Sequence, residues 1–459
     1  MHSFHLGSLV VHRYGDPQVI DIDPDDYALA TSPALYSVVA KVRNYETEGE
    51  LNYNEDAIRG MVAGAAPNLQ HVWLMDIRCG DSLPFRAAVA LGKPSAPPDR
   101  LFFPKVQAGS QRSLLFLTAK RRDINAWTAR TDFSKLCYLA VPWDPALVDM
   151  AAHGELASLR GLCLDEIDME SNSAVCQLLT ALSSNSLRDL LVGGHIKEVF
   201  FDTLLERHGK SLRHLVVKSW PHYDMDEYEE YPPPPPVFLT PALAARLAEK
   251  CPNLEQVGLD VDRSLGDARE CAVYRGLGRL PRLRRLSLNL WFTVSAIDDA
   301  LNENDDSGWE CGRVPRACLS QAFANAAVDA NLARAIFDMS SPGGGLQYLE
   351  LQTWRKMGFH TIPVNDGQLY NILEWFSRDW ICERRRSGDN ISVAEVRERG
   401  SGATKQAAEE WQYLAETSEH RGGEEVFVQA FGDVWPQTTP RWWEDWKSMP
   451  LCLDDGRTE

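Results

Sequence analysis

The chain has 459 residues, 44% of them hydrophobic and 24% charged, and its 47 basic and 65 acidic side chains give a formal net charge of −18. This length exceeds what one compact core normally organises, so we expect two or three domains or one extended array. The negative charge would repel a phosphate backbone, and the one notable basic run is Arg384-Arg385-Arg386, so we expect no nucleic-acid partner.

Ten cysteines lie at wide spacing, and the closest pair, Cys311 and Cys318, forms no zinc-binding motif. We interpret most of them as buried free thiols of a reducing compartment. No stretch approaches the ~20 apolar residues of a membrane span, and the N-terminal MHSFHLGSLVVHRYGD lacks the basic and apolar regions of a secretion signal. The sequence therefore predicts a soluble intracellular protein, cytoplasmic or nuclear, without a membrane partner.

Residues 1–50 form an N-terminal segment in which a strand is predicted around Leu35 to Val42, and we interpret this segment as a candidate cap. After it, the pattern L-x-x-Φ-x-Φ, in which Φ is apolar, recurs eight times. Its copies are Leu69/Val72/Leu74, Leu136/Leu139/Val141, Leu159/Leu162/Leu164, Leu187/Leu190/Val192, Leu212/Leu215/Val217, Leu254/Val257/Leu259, Leu283/Leu286/Leu288 and Leu346/Leu349/Leu351.

The two closing apolar positions of each copy have the period of a strand, and a helical pattern precedes most copies. In TPALAARLAEK, for example, Thr240 can cap a helix and Pro241 suits its first position. A helix–loop–strand unit cannot bury both faces alone, so its neighbours must stack with parallel strands. Residues 51–355 are therefore predicted to form an irregular α/β leucine-rich-repeat solenoid, with a parallel sheet on the concave face and helices on the convex face.

Three intervals between copies are longer than the usual ~20–29 residues of such a repeat. The first contains SLLFL, which is a candidate for a missed repeat before Leu117. The second contains a loop insertion at 221–239 with the run YDMDEYEEYPPPPP, and the third an acidic loop at 299–315.

After Trp354 the pattern stops, and residues 356–459 are predicted to be a tryptophan-rich C-terminal cap, partly flexible at 386–425. The run from Trp380 indicates two strands around the turn Ser387-Gly388-Asp389-Asn390.

Several fragments resemble chemical sites, but each has a simpler interpretation. Asp260-Val261-Asp262 is interpreted as a polar turn at the end of a strand, and His208 and His214 near Glu206 as surface histidines. Gly276, Gly278 and the run Gly343-Gly344-Gly345 lack the order of a phosphate loop. The sequence has no G-x-S-x-G, H-E-x-x-H or Walker motif. We therefore expect no enzyme activity, no catalytic residue, no cofactor and no metal.

A partner-binding surface can be derived from the strand register, because repeat positions three, five and seven alternate outward onto the concave face. The alternative is a contact through the convex side or an intramolecular cover of this face, since repeat scaffolds also bind through loops. The candidate residues are His71, Trp73, Met75, Tyr138, His214, Lys218, Gln256, Asp260, Arg285, Asn289, Tyr348, Glu350 and Gln352. A second candidate is the run Pro232, Pro233, Pro234, Pro235 and Pro236, either a polyproline ligand or a spacer.

Five segments carry a resemblance to a known family: YETEGELNYNEDAIRGMVAGAAPNLQHVWL, CPNLEQVGLDV, LPRLRRLSLNL, LQYLEL and WWEDWKSMPL. With them the chain resembles fungal leucine-rich-repeat proteins of the F-box kind, over roughly Tyr45 to Leu451. The resemblance implies a substrate receptor that docks a Skp-type adaptor and a cullin ubiquitin ligase. The first fifty residues contain no recognisable F-box, since they lack its L-P-x-E opening.

Two functions are thus open. The first is a non-catalytic protein-protein interaction scaffold, which on the resemblance is an F-box-like substrate receptor. The second is an enzyme or nucleotide-binding protein with an unrecognised site in the C-terminal region, where Trp380, Arg384, Trp442 and Trp443 could line a pocket.

Overall fold

A computed structural model gives the fold of most of the repeat region and of the C-terminal region. It divides into two compact units, residues 1–222 and 223–459. The structure describes residues 28, 32–42, 58, 61–62, 66, 68–76, 113–117, 124–128, 132–218, 237–292, 316–353, 373, 375–384, 386–387, 390–391, 395–399, 408–409, 411–413, 425–439 and 441–452.

The first unit contains a parallel sheet whose strands follow one another in chain order. The predicted strand around Leu35 to Val42 is confirmed as β1, and SLLFL, the candidate for a missed repeat, forms the strand β3. The strands are β1 (Ser37–Val42), β2 (His71–Asp76), β3 (Ser113–Leu117), β4 (Tyr138–Pro142), β5 (Gly161–Ile167), β6 (Asp189–Gly194) and β7 (His214–Lys218).

Helices connect the strands from β3 to β7, and they pack against one another in sequence order, α2 on α3 and α3 on α4. The elements are α1 (Ile124–Thr128), a short 3-10 helix (Phe133–Lys135), α2 (Ala146–Ala152), α3 (Asn172–Ala181) and α4 (Glu198–His208). Asn172 joins α3 to the loop after β6, because its amide donates to the His195 carbonyl at 2.7 Å and accepts from the Lys197 N–H at 2.8 Å. A side chain thereby satisfies backbone groups that no strand or helix would pair.

The leucines of the recurring motif form the core of this unit, as their spacing predicts. Equivalent apolar residues of successive strands are partners in the sheet, and each is at most 2% exposed. This row contains Leu139, Leu162, Leu190 and Leu215. Full burial of one such side chain contributes about 1.5–3 kcal/mol, so the row is a main source of stability.

The second unit combines three parallel strands with antiparallel ones. β8 (Gln256–Asp262), β9 (Arg285–Trp291) and β10 (Tyr348–Thr353) are parallel, whereas β11 (Trp380–Glu383) is antiparallel to β10 and β14 (Glu395–Glu398) is antiparallel to β11. The hairpin predicted around 387–390 is confirmed by β12 (Arg386–Ser387) and β13 (Asn390–Ile391).

The helices of this unit are α5 (Pro241–Lys250), α6 (Ala268–Leu277), α7 (Arg316–Ala326), α8 (Ala330–Met339) and α9 (Glu425–Val434), followed by a 3-10 turn at Trp442–Glu444. The predicted start of α5 is confirmed, since Thr240 accepts a hydrogen bond from the Leu243 N–H and Pro241 is the first helical residue. Such a cap stabilises a helix by about 1 kcal/mol.

The tryptophan-rich C-terminal segment builds a second core around α7 and α9. Phe376 is fully buried at its centre, and its ring centroid lies 5.0 Å from that of Trp435 and 5.3 Å from that of Phe323. Trp411 and Phe431 pack against the same ring. These edge and tilted contacts add to the free energy gained by burying the rings.

The last described residues bind back to the loops around α6 and α8. Asp329 caps α8 and also accepts from the Ser448 N–H and hydroxyl, the latter at 2.6 Å. The Cys452 N–H donates to the Gly266 carbonyl at 2.7 Å. The C-terminal segment is therefore part of this unit's folded structure.

The predicted α/β class is confirmed, with a mostly parallel arrangement of strands and intervening helices. In the described ranges, no helix is both long enough and apolar enough to cross a bilayer.

Candidate functional site

The outward-facing residues of β8, β9 and β10 lie in rows across the sheet of the second unit. The register places Gln256 beside Arg285 and Arg285 beside Tyr348, and four residues further along it places Asp260, Asn289 and Gln352 side by side. Sequence reasoning selected these side chains separately, and the register brings them together.

In the first row Arg285 and Tyr348 are half-buried and carry a positive charge and an aromatic ring, whereas Gln256 is buried with 6% exposure. The guanidinium carbon of Arg285 lies 5.6 Å from the centroid of the Tyr348 ring, which is a cation-π contact. Burial raises the pKa of Tyr348, so its hydroxyl is a neutral hydrogen-bonding group near pH 7. Arginine and tyrosine are residue types that dominate binding energy at protein interfaces.

In the further rows Asp260, Asn289 and Glu350 are buried and already paired. The amide of Asn289 donates to Asp260 at 2.6 Å, and the amide of Gln352 donates to Glu350 at 2.7 Å. Arg399 forms an ion pair with the same Glu350. Asp260, Asn289 and Glu350 are at most 4% exposed. A partner protein therefore meets Arg285, Tyr348 and Gln352 more readily than these three residues.

A corresponding row crosses the first unit at the start of its strands. The register relates His71 to Ser113 and Tyr138 to Gly161, and it continues from Gly161 to Asp189 and His214. His71 Nδ1 and Ser113 Oγ share a hydrogen bond of 2.7 Å. Because Ser113 is fully buried, this pair is a structural contact, and its hydroxyl cannot reach a substrate.

Tyr138 and His214 are the half-buried residues of this row, and the largely buried Asp189 lies beside them. His214 Nδ1 donates to Asp189, and both side chains keep some exposure. Burial, reinforced by the negative charge of Asp189, raises the pKa of Tyr138 to about 12. The charge of Asp189 therefore acts on the hydroxyl of Tyr138. Sequence reasoning missed Asp189 because its contact with His214 depends on the register.

The other candidate residues of the face are buried or have side chains outside the described part of the chain. Trp73 and Lys218 are buried, with 3% and 8% exposure, as is His71 with 5%. Met75 is a residue of β2 whose side chain lies outside the described part of the chain. The proline run Pro232 to Pro236, the acidic loop 299–315 and most of 386–425 also lie outside it.

The interpretation of Asp260-Val261-Asp262 as a turn is wrong, because both aspartates are residues of β8. The interpretation of His208 as a surface histidine is also wrong. Its ring is fully buried at the end of α4 and donates from Nε2 to the Leu179 carbonyl at 3.0 Å. Among the side chains that the structure describes, no group of three or more His, Cys, Asp or Glu could hold a metal ion.

The structure does not bring the four C-terminal candidates together. Trp442 and Trp443 belong to the aromatic core, where Trp443 accepts at its carbonyl from the Trp375 indole at 2.8 Å. Trp380 is buried and donates to the Val328 carbonyl at 2.7 Å. Arg384 instead lines a cleft beside β9 and β10, and none of the three tryptophans lines that cleft.

No protein-family model matches this chain, and no curated protein shows significant sequence similarity to it.

Proposed function

We propose that the chain is a non-catalytic protein-protein interaction scaffold built as an irregular leucine-rich-repeat solenoid. The observation that carries the proposal is the register of the recurring motif. Leu139, Leu162, Leu190 and Leu215 are partners in one unit, and Val257, Leu286 and Leu349 are partners in the other. Within each unit, equivalent positions of successive copies of the motif thus lie side by side in the sheet. Stacked repeats produce this arrangement.

The binding surface of the proposed scaffold is the first row of outward residues in each unit. Tyr138 and His214 in the first unit, and Arg285 and Tyr348 in the second, are half-buried. Side chains of this kind are already partly ordered, so binding costs less conformational entropy than it would with freely mobile ones. Their mixture of rings and charge favours a protein partner over a small apolar ligand.

Capture of partners by the full-length chain tests this assignment. The variant Arg285→Ala/Tyr348→Ala is compared with wild type and with Arg269→Ala, which removes an exposed arginine of α6. Circular dichroism and urea unfolding establish that all three proteins are folded. We expect the amount of a stably bound partner to fall at least tenfold for the double variant, equivalent to about 1.4 kcal/mol, and to stay unchanged for Arg269→Ala. Equal capture by all three proteins would remove this face as the binding surface.

The narrower proposal, that the scaffold is an F-box-like substrate receptor of a cullin ubiquitin ligase, rests on the family resemblance and needs its own test. Purified chain is mixed with a purified Skp-type adaptor, and complex formation is followed by size-exclusion chromatography. A stable complex at about 10 μM components supports a substrate receptor, since specific subunit contacts generally have Kd values below this concentration. Absence of a complex, with retention of another partner, would leave a scaffold that does not use this adaptor.

A further inference from the structure

An open cleft of about 670 Å³ lies where β9 and β10 begin in the second unit. Three of its walls are the segments that precede three neighbouring strands. Glu255 precedes β8, the segment Pro281 to Arg284 precedes β9, and Gly344, Gly345 and Gln347 precede β10. Arg384, which follows β11, completes the lining.

Among the residues that the structure describes, three arginines line this cleft together with a single carboxylate, that of Glu255. Within the ranges that the structure describes, the guanidinium groups of Arg282 and Arg284 make no ion pair and no hydrogen bond. Both side chains are exposed. In a chain with a net charge of −18, such a local excess of unpaired arginines is unexpected if its role is only solubility.

Arg384 packs against an aromatic ring, but one of its hydrogen-bond donors has no partner among the described residues. Its guanidinium carbon lies 5.0 Å from the centroid of the Phe337 ring. Its Nε is buried and has no hydrogen-bond partner among the described residues. A buried donor without a partner costs free energy.

The glycine wall is fixed in shape by Ser341. The Ser341 carbonyl accepts from the Gly344 N–H at 3.0 Å, and its hydroxyl accepts from the Leu346 N–H at 3.0 Å. Gly344 has φ +71°, a conformation that favours glycine. Without side chains at Gly344 and Gly345, a ligand can approach the backbone at this wall.

We propose that this cleft binds a phosphate monoester. The planar guanidinium fork matches the oxygens of a phosphate in a bidentate arrangement, and three arginines can neutralise a dianion despite the presence of Glu255. The volume is that of a small-molecule pocket and exceeds a phosphate group alone, so the ligand carries an organic part. This site is separate from the outward rows and does not depend on the scaffold function.

Binding of O-phospho-L-serine to the full-length chain by isothermal titration calorimetry tests the proposal. We expect a Kd of roughly 1 mM or lower at low salt, with serine and acetate showing no binding. The double variant Arg282→Ala/Arg284→Ala should weaken binding at least tenfold. Both side chains are exposed, so this variant is expected to fold.

Arg279→Ala is the matched control, because Arg279 is exposed in the same loop but does not line the cleft. Its Kd should stay within twofold of wild type. Arg384→Lys keeps the charge and loses the fork, so we expect at least threefold weaker binding. Absence of binding to wild type up to 20 mM would overturn the proposal, as would an equal loss in Arg279→Ala and the cleft variant, which would indicate unspecific attraction.

A phosphate monoester has two sources, a free metabolite or a phosphorylated side chain. Competition between O-phospho-L-serine and a short phosphoserine peptide separates them. Binding of the peptide that is tighter by tenfold or more assigns the site to a phosphorylated protein. Equal or weaker binding of the peptide assigns it to a free phosphate ester.

Discussion

Gly161 lies directly beneath the ring of Tyr138, so closely that a Cβ at position 161 would be 2.3 Å from Tyr138 Cδ1 and 2.7 Å from Cε1. The two residues are partners across β4 and β5. The aromatic ring therefore covers the neighbouring strand because glycine offers no side chain. This contact places Tyr138 in the half-buried position from which we expect it to bind a partner.

Gly161→Ala should force the ring of Tyr138 away from β5. Overpacking of this kind costs typically 1–3 kcal/mol, and we expect the free energy of unfolding in urea to fall by about that amount. In the background Tyr138→Ala the same substitution should cost much less, because no ring is present to clash. Equal losses in the two backgrounds, measured as a double-mutant cycle, would contradict the contact.

Arg263 and Glu270 form a fully buried ion pair with an N–O distance of 2.5 Å. Glu270 also accepts from the Tyr274 hydroxyl at 2.8 Å and from the N–H groups of Ser264 and Gly266. Burial is the main cause of the pKa of Tyr274 being well above its usual value of 10.0, with the charge of Glu270 adding to it. All the acceptor positions of this carboxylate are thus used.

Glu270→Ala should therefore destabilise the second unit strongly. Removing one partner leaves the buried charge of Arg263 uncompensated, which typically costs about 3–5 kcal/mol. Arg441→Ala is the comparison, because it breaks the exposed pair Arg441–Glu444, and we expect no measurable change in thermal or urea unfolding. Similar behaviour of the two variants would show that the Arg263–Glu270 pair is not maintained in solution.

The strands could be predicted from the sequence because the motif combines a period of two with leucines that must be buried. The segment of β1 is predicted as a strand outside the motif copies, and SLLFL, which forms β3, only as a candidate for a missed repeat. Gln111 occupies the position of the leading leucine before β3, and the small Ala40 takes a closing apolar position in β1. The register nevertheless aligns Leu114 of β3 with Val72 and Leu139, which are residues of two recognised copies.

The contacts of the outward face could not be predicted in the same way. Asp260 and Asn289 are 29 residues apart, and their hydrogen bond exists because the intervening helix and loops bring β8 and β9 into this register. Arg263 and Glu270 illustrate a second limit, because charged residues are usually expected at the surface and are buried here only as a pair. Neither the Asp260–Asn289 hydrogen bond nor the Arg263–Glu270 ion pair can be predicted from the spacing of residues in a single sequence.

The reactivity of the cysteines should follow their burial. Burial raises the pKa of Cys251 and of Cys382 to about 12 and that of Cys163 well above its usual value. The thiolate is the reactive form, so at pH 8 these three should resist iodoacetamide in the native protein. Cys137 and Cys176 are only half-buried and should be modified first.

Mass spectrometry of peptides from native and urea-unfolded protein measures this difference site by site. We expect equal modification of all five cysteines after unfolding. Rapid labelling of Cys251 or Cys382 under native conditions would mean that the core of the second unit opens readily.

His208 should make the first unit sensitive to acid. Its Nε2–H donates to the Leu179 carbonyl, and its Nδ1 is buried without a partner among the described residues. Burial is the largest cause that lowers the pKa of His208 below its usual value of 6.5. A proton added at Nδ1 would therefore place an uncompensated charge in the core.

The direction of the pH dependence follows from proton binding in the two states. Below about pH 6.5 the unfolded chain takes up a proton that the folded chain does not, so the free energy of unfolding must fall as the pH decreases through this range, until the lower folded pKa is reached. His208→Gln should remove this part of the slope in urea unfolding between pH 7.5 and 5.0. It should also lower stability at pH 7.5, because the core loses a ring. His153→Asn, at an exposed position after α2, controls for the loss of a histidine. If the slope persists in His208→Gln, or disappears equally in His153→Asn, the acid sensitivity arises from other groups.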